Sequence, residues 1–369
     1  MRAAKAKACR AFRPGDLLSR GAAVSLPLAG DIAMTFLDRL SDKALAVRLA
    51  RRTRRMLREA GVAPLDKKPR FARGAPGDLG PWDIRITREG DGALALLWSA
   101  ERAAADDTRA LRSHAAAYLH YMRCAGPSAT SLVFDISDGN EPSRADVSPS
   151  SFLPGRALVP DPRFFATGGH RAARAGRGAN LPWEARASEI VWRGGLNGAG
   201  LHIADVGGAS QSPLIAQRLR LALAARGLEG VDIRFVAEGQ AATWLARHGL
   251  IGAPQPAALW RARNFAIDID GFSNTWDNLF HRLLFGCCVL KVESEVGFRQ
   301  WYYDRLIPWR HYVPVAADLS DLSDKVSWLH ENDPEAHAIA QHGQALAESL
   351  TFESACAEAA ETIARLCQG

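Results

Sequence analysis

The segment SLVFDISDGN (131–140) reads as an apolar strand that runs into Asp138, Gly139 and Asn140. A carboxylate at the carboxyl end of a sheet strand, beside a glycine turn, lies where open α/β sheets gather their chemistry. Such a group can take a proton as a general base, or it can simply close the strand as an Asx turn. Asp135, three residues earlier, points to the opposite face of a regular strand, so only one of the two serves a given cleft. A second run, EIVWRGGLNGAG (189–200), is an apolar strand followed by Arg193, Gly194, Gly195 and further glycines. It fits neither a phosphate-loop pattern nor a dinucleotide fingerprint, so alone it is a weak nucleotide signal. The third run begins with a strand at 265–270, breaks at Gly271 and carries Ser273, Asn274, Thr275 and Asn278 into a helical pattern. A strand, glycine turn and helix N-terminus present backbone N–H groups and partial positive charge to an anion, although such turns also occur without a ligand. Ser273, Asn274 or Thr275 is the expected cap.

The elements that must position these residues follow from hydrophobic period and turn chemistry. A hairpin is expected over 84–99 with its turn at 89–92, then a helix over 103–124 and the strand into Asp138. Further on come strands at 189–193, 231–239, 265–270 and 287–292, a helix over 211–227 and closing helices at 323–330, 334–349 and 352–367. Alternating strands and helices predict an α/β fold. A chain of 369 residues exceeds what one core usually supports, and the segments divide as 1–73, 74–185 and 186–369.

The ordered series IDIDGFSNTW, LLFGCCVLKV and WYYDRLIPWRHYVPVAADLSDLSDKVSWLHENDPEAHAIAQHGQAL resembles the carboxy-terminal signature of glycosyltransferase family 90. That family includes fungal capsule-associated proteins, animal protein O-glucosyltransferases and bacterial lipopolysaccharide-modifying enzymes. The resemblance spans roughly 155–350 and is strongest over 265–345. It implies a GT-B-like architecture of two Rossmann-like domains facing a cleft, here with a basic helical amino-terminal segment. It also implies Asp138 as catalytic base, and a donor site of Arg193, Gly194, Gly195, Arg218, Asp270, Gly271, Ser273, Asn274 and Asn278. In VPDPRFFATGGH (159–170), Arg163 and His170 become candidate cleft residues, where otherwise they are ordinary loop polarity. Arg218 is placed against a phosphate, although a helix arginine is more often only solvated. Where animal relatives carry a diphosphate-contacting arginine, this chain has Thr275, Trp276, Asp277 and Asn278. Asp268 and Asp270 spell Asp-x-Asp, which metal-dependent transferases use to hold an ion, but strand alternation produces the same spacing. The resembled family implies no metal and no cofactor beyond a UDP-sugar co-substrate.

Charge is lopsided: residues 1–73 hold 18 Lys and Arg against 6 Asp and Glu, a net +12 in a chain whose total is +6. The helix expected over 40–60 carries Arg48, Arg51, Arg52, Arg54, Arg55 and Arg58 beside Leu45, Val47, Leu49, Met56 and Leu57. A docked surface helix, an anionic membrane surface and nucleic acid are the three readings of it. The helix lacks interleaved aromatics, which disfavours nucleic acid. Pro14, Asp16 and Arg20 interrupt any signal-peptide core, and no apolar run approaches 18 residues. Six cysteines form no Cys-x-x-Cys pair, and adjacent Cys287 and Cys288 fall in an apolar strand as expected for buried thiols. A cytoplasmic protein, peripheral on the inner membrane face, fits these features.

The resemblance implies inverting transfer of a hexose or pentose, glucose or xylose favoured, from a UDP-sugar to a hydroxyl of a lipopolysaccharide, glycolipid or other glycan. A base takes the acceptor proton, cations and a helix N-terminus hold the leaving diphosphate, and the cleft aligns the two. A protein O-glycosyltransferase, a non-catalytic membrane- or glycan-binding relative and a nucleic-acid binder are the rivals. The first differs in acceptor, the second keeps binding without turnover, and the third shows steep salt-dependent affinity for strands.

Overall fold

Alternation of apolar residues between 83 and 98 folds as an antiparallel hairpin of β2 (Asp83–Arg88) and β3 (Leu94–Trp98), with Ile84, Ile86, Leu96 and Trp98 turned inward. Gly92 sits at φ 85° in its turn, a conformation that favours glycine. The computed structural model describes residues 36–103, 108–203 and 212–368. The chain forms two compact units, 1–41 and 42–369, the first described only at 36–41. The amino-terminal leader reading and Cys9 lie outside the described residues.

Helix α1 (Phe36–Ala60) starts earlier than the expected residue 40. Within 42–60, Leu45, Leu49, Met56, Leu57 and Ala60 are buried, while Arg48, Arg51, Arg54, Arg55 and Arg58 are exposed. Val47 falls on the exposed side, because the 3.6-residue period carries it off the apolar stripe. β1 (Arg70–Arg73) leads into β2 and β3; short α2 (Ala100–Ala103) and α3 (Arg109–Cys124) follow, then β4 (Ser131–Asp135), β5 (Val147–Ser148), β6 (Ser150–Ser151) and β7 (Ala157–Leu158). The first sheet has the order β1-β3-β2-β4-β5-β7. It is mixed: β2 is antiparallel to both neighbours, and the remaining pairs are parallel. Two short helices, α4 (Pro162–Ala166) and α5 (Arg171–Ala175), close this part.

The second half is parallel. β8 (Ile190–Gly194) pairs with β9 (Val231–Phe235) and, through the bridge of Ala187 and Arg263, lies beside β10 (Phe265–Asp268). β10 pairs with β11 (Cys288–Val292), and after β12 (Arg299–Gln300) comes β13 (Val313–Val315) on the other side of β11. Every residue of β11 is buried, as a strand covered on both faces requires. Cys287 and Cys288 are free buried thiols, and burial pushes Cys287 up to about 11. The helices are α6 (Gln217–Ala224), α7 (Gly239–Arg247), α8 (Asp277–Leu284), α9 (Leu322–Glu331), α10 (Asp333–Ser349) and α11 (Phe352–Leu366). α6 is shorter than the expected 211–227, with Pro213 ahead of it. α11 returns to pack on α3, so Ala359 and Ile363 join the core that holds β2, β3 and β4. Antiparallel pairing of β12 with β6 stitches the two halves together next to the site.

Candidate active site

Loop residues beyond the carboxyl ends of β4, β8 and β10 meet the start of α8 around a cavity of about 220 Å³. Of the expected residues, Asp138, Arg193, Gly194, Arg218, Gly271, Ser273, Asn274 and Asn278 line it together. Asp270 opens into an adjoining space of about 40 Å³ that shares Arg218, Gly271 and Ser273. Gly195 lines neither, and its carbonyl accepts from Arg218 Nη1 at 3.2 Å.

β4 ends at Asp135, not at Asp138. Asp135 is turned inward, where its carboxylate accepts from the Ser137 amide at 2.7 Å and Ser148 Oγ at 3.1 Å. It borders a different cavity, of about 650 Å³, on the other side of Gly139. Asp138 stays exposed at the rim of the smaller one. Packing around its carboxyl and the charge of Glu141 raise its pKa above the ordinary value, the direction that suits a base working near neutrality. Gly139 holds φ 86°, and a Cβ there would overlap the Ser150 carbonyl. Gly139→Ala is therefore expected to displace Asp138 and lower turnover by about 10²-fold, with circular dichroism unchanged at 25 °C. Wild-type turnover in that variant would show that Asp138's position is immaterial.

The two arginines have different fates. Arg193 turns away, donating to the Asp232 carboxylate on β9 and to the carbonyls of Trp192 (2.8 Å) and Asp232 (2.9 Å). That carboxylate is shared with Arg234 Nε at 2.7 Å, so it offsets the Arg193 charge only in part. Arg218 donates to the carbonyls of Asp270 (2.8 Å) and Ile269 (3.2 Å) and to Asn197 Oδ1, and it lies over the Trp192 ring at 5.5 Å. Among the described residues it forms no ion pair with a carboxylate. Desolvation lowers its pKa, with Asp268 and Asp270 acting against that, and a guanidinium keeps its proton regardless. Gly271 must be glycine for this closeness, since a Cβ would stand 2.9 Å from Asn197 Oδ1 and 3.0 Å from Arg218 Nη2.

The Asp-x-Asp pair is divided. Asp268 is fully buried and accepts from Thr275 Oγ1 at 2.6 Å and from Lys291 Nζ at 3.3 Å. Asp270 is 7% exposed, and among the described residues neither of its oxygens has a hydrogen-bond partner. Burial raises its pKa to about 6, against the pull of Lys291 and of the Ser294 hydroxyl beside it. A buried carboxylate left unsatisfied is costly, and a ligand N–H or O–H would complete it. Trp276, at φ 52° before α8, is the other strained feature. Its amide donates to Asn274 Oδ1 at 2.6 Å, and Asn274 Nδ2 donates to Ser150 Oγ at 2.7 Å. Asn274 thus ties β6 to the turn, and the residue preceding the helix, Trp276, provides no side-chain cap.

Arg163 and His170 do not reach the cavity. Arg163 is exposed and pairs with Asp277 at 2.6 Å. His170 is buried against Phe164, Phe280 and His281, because the chain coils into α4 and α5 and folds the ring inward. Trp192, Asn197, Phe272 and Trp276 line the cavity without having been singled out from the sequence. Asn197 carried a local signal, a polar side chain inside a glycine-rich loop, whereas the aromatics carried none distinguishing them from core.

Residues 257–356 match glycosyl transferase family 90, so the resemblance read from the sequence holds over that stretch. Over 62 residues the chain is 50% identical to protein O-glucosyltransferase 3 of Rattus norvegicus, covering 17% of this chain and 12% of that protein. Over 180 residues it is 28% identical to uncharacterized protein 179R of Invertebrate iridescent virus 6, covering 44% of this chain and 15% of that one. The chain thus spans a minor part of the length of these relatives. Among solved structures, Anabaena HepE in complex with UDP-glucose aligns with 53% of each chain at 12% identity and a TM-score of 0.31.

Proposed function

We propose that this chain, a glycosyltransferase of family 90 by its carboxy-terminal signature, moves glucose or xylose from a UDP-sugar onto a hydroxyl of a lipopolysaccharide, glycolipid or related glycan, with inversion and without a metal at the reacting centre. The observation that carries the reading is one cavity lined by both Asp138 from the first half and Arg218 with the 271–278 turn from the second. Two Rossmann-like halves facing that cleft are the proposed architecture.

The acceptor hydroxyl approaches beside Asp138, which takes its proton as the oxygen attacks the anomeric carbon. The C–O bond to the diphosphate breaks on the opposite face, and this in-line geometry gives inversion. Charge growing on the leaving diphosphate is met by Arg218 and by the amides at the start of α8. Arg193 supports this from behind by fixing the β8 loop. Asp270 accepts from a donor group of the nucleotide. Asp268, occupied by Thr275 and Lys291, holds the turn in shape, which supports a metal-free donor site. The exposed arginines of α1 give an anionic membrane surface a place to dock, which supports a glycolipid acceptor at the cytoplasmic face. No helix among the described residues is long and apolar enough to cross a membrane.

Thermal unfolding with UDP, UDP-glucose, UDP-xylose and GDP-mannose, each with and without EDTA, tests the donor site. A ligand at about 100 times its Kd adds roughly 2.7 kcal/mol. A rise confined to the uridine nucleotides that survives EDTA is the expected result. No rise with any nucleotide removes the transferase reading.

A further inference from the structure

Behind the α8 wall of the cavity, three side chains that transfer does not use converge: His170, Asp277 and His281, whose ligating atoms all lie within 4.8 Å of one another. Asp277 and His281 stand one turn apart on α8, and His170 enters from the cap of α5 with its ring centroid 4.5 Å from that of His281. We propose that these three residues bind a divalent transition-metal ion of the zinc class, which pins the turn before α5 to the first turn of α8.

The chemistry of the set selects the ion. Imidazole suits zinc and its neighbours, whereas magnesium and calcium take oxygen ligands. Three protein ligands leave a fourth tetrahedral position for water. Hydrogen bonding around Thr167 favours one nitrogen of His170 as the free one. Thr167 Oγ1 has one proton and donates it to the Arg163 carbonyl at 2.8 Å. Toward His170 it must therefore accept, from the backbone N–H at 3.1 Å and from Nδ1 at 3.3 Å. With the ring proton on Nδ1, donated to Thr167 Oγ1, Nε2 is left to present its lone pair. Metal-bound imidazoles are held by this kind of outer bond.

His170 is 4% exposed and sits at φ 60°, an uncommon backbone for a residue with a side chain. Arg163 Nε, 2.6 Å from Asp277 Oδ2, orients the carboxylate as outer partners of ligating carboxylates do. Trp276 and Asn278, on either side of Asp277, line the transfer cavity, so an ion here stiffens the donor wall without touching reacting atoms.

The full chain, stripped with a strong chelator and dialysed, would be titrated with Co²⁺ and followed by visible absorption, then with Zn²⁺. One equivalent of Co²⁺ is expected to give the intense d–d bands of a low-coordinate ion, Zn²⁺ to bleach them, and the melting temperature to rise with Zn²⁺. Thr167→Val keeps all three ligands and is expected to weaken binding by roughly 10–100-fold. His281→Ala, which removes a partly exposed ligand, is expected to abolish the one-equivalent site. A folded wild-type chain that leaves Co²⁺ with its aqueous spectrum overturns the assignment, as do bands undiminished in both variants. The readout is metal binding alone, so the result stands whichever way the UDP-sugar experiment falls.

Discussion

Asp138→Asn is expected to lower sugar transfer by about 10²–10⁴-fold while leaving the UDP-induced thermal shift in place. The carboxamide keeps the shape of the side chain at the cavity rim but cannot accept the acceptor's proton. Release of UDP from UDP-glucose in the presence of acceptor would be timed for both proteins, alongside melting curves with UDP. The split between lost turnover and retained binding is the signature of a base, because removal of a donor-binding group would lower both. Equal turnover in the two proteins would move the base elsewhere. Asp135 is a poor substitute, since Ser137 and Ser148 hold its carboxylate beside the other cavity.

Asp270→Asn is expected to make the unliganded protein more stable above pH 6 while weakening its hold on UDP-sugars. The sign follows from linkage. Asp270 binds its proton more tightly folded, with a pKa of about 6, than unfolded, at about 3.8. Between those values the native state carries more protons than the unfolded state, so stability falls as pH rises through the window. Below about pH 4 both states are protonated and there is no penalty. Above about pH 6 the full penalty of a buried, unsatisfied carboxylate is present, about 3 kcal/mol at 1.36 kcal/mol per pH unit. Asparagine has no such titration. Urea unfolding of both proteins from pH 4 to pH 8 should show a gap that opens with pH; a gap that stays constant would refute the assignment. The loss of affinity, about 1.5–3 kcal/mol for a charge-assisted hydrogen bond, would be read by UDP-glucose titration at pH 7.5. Stability gained and affinity lost in one variant is what a strained ligand site produces.

The sequence by itself determined the order of the main elements and the turn that borders the cavity. Helices α9, α10 and α11 lie within a residue of the expected 323–330, 334–349 and 352–367, because an amphipathic period is a local property of the chain. The turn at 271–278 was legible for the same reason, being a glycine and small polar residues between two apolar runs. So was α1, whose apolar stripe and arginine face are both spelled out at helical spacing.

Only the tertiary structure decided how the charges are used. Arg193 is held by Asp232, 39 residues away and on the next strand, a carboxylate that Arg234 shares. Among the described residues no carboxylate bonds Arg218, whose hydrogen-bond partners are backbone carbonyls and the Asn197 amide. Asp268 and Asp270 spell a spaced pair, but Lys291 on the adjacent strand bonds only the first, and the oxygens of the second form no geometrically sound hydrogen bond among the described residues. His170 and Arg163 read as candidate cleft residues, and folding of α5 against α8 turned one inward and set the other on Asp277. In each case the deciding partner comes from another element, so the local pattern contains no trace of it. Burial then magnifies the outcome, since a charge out of water is governed by the few groups that touch it.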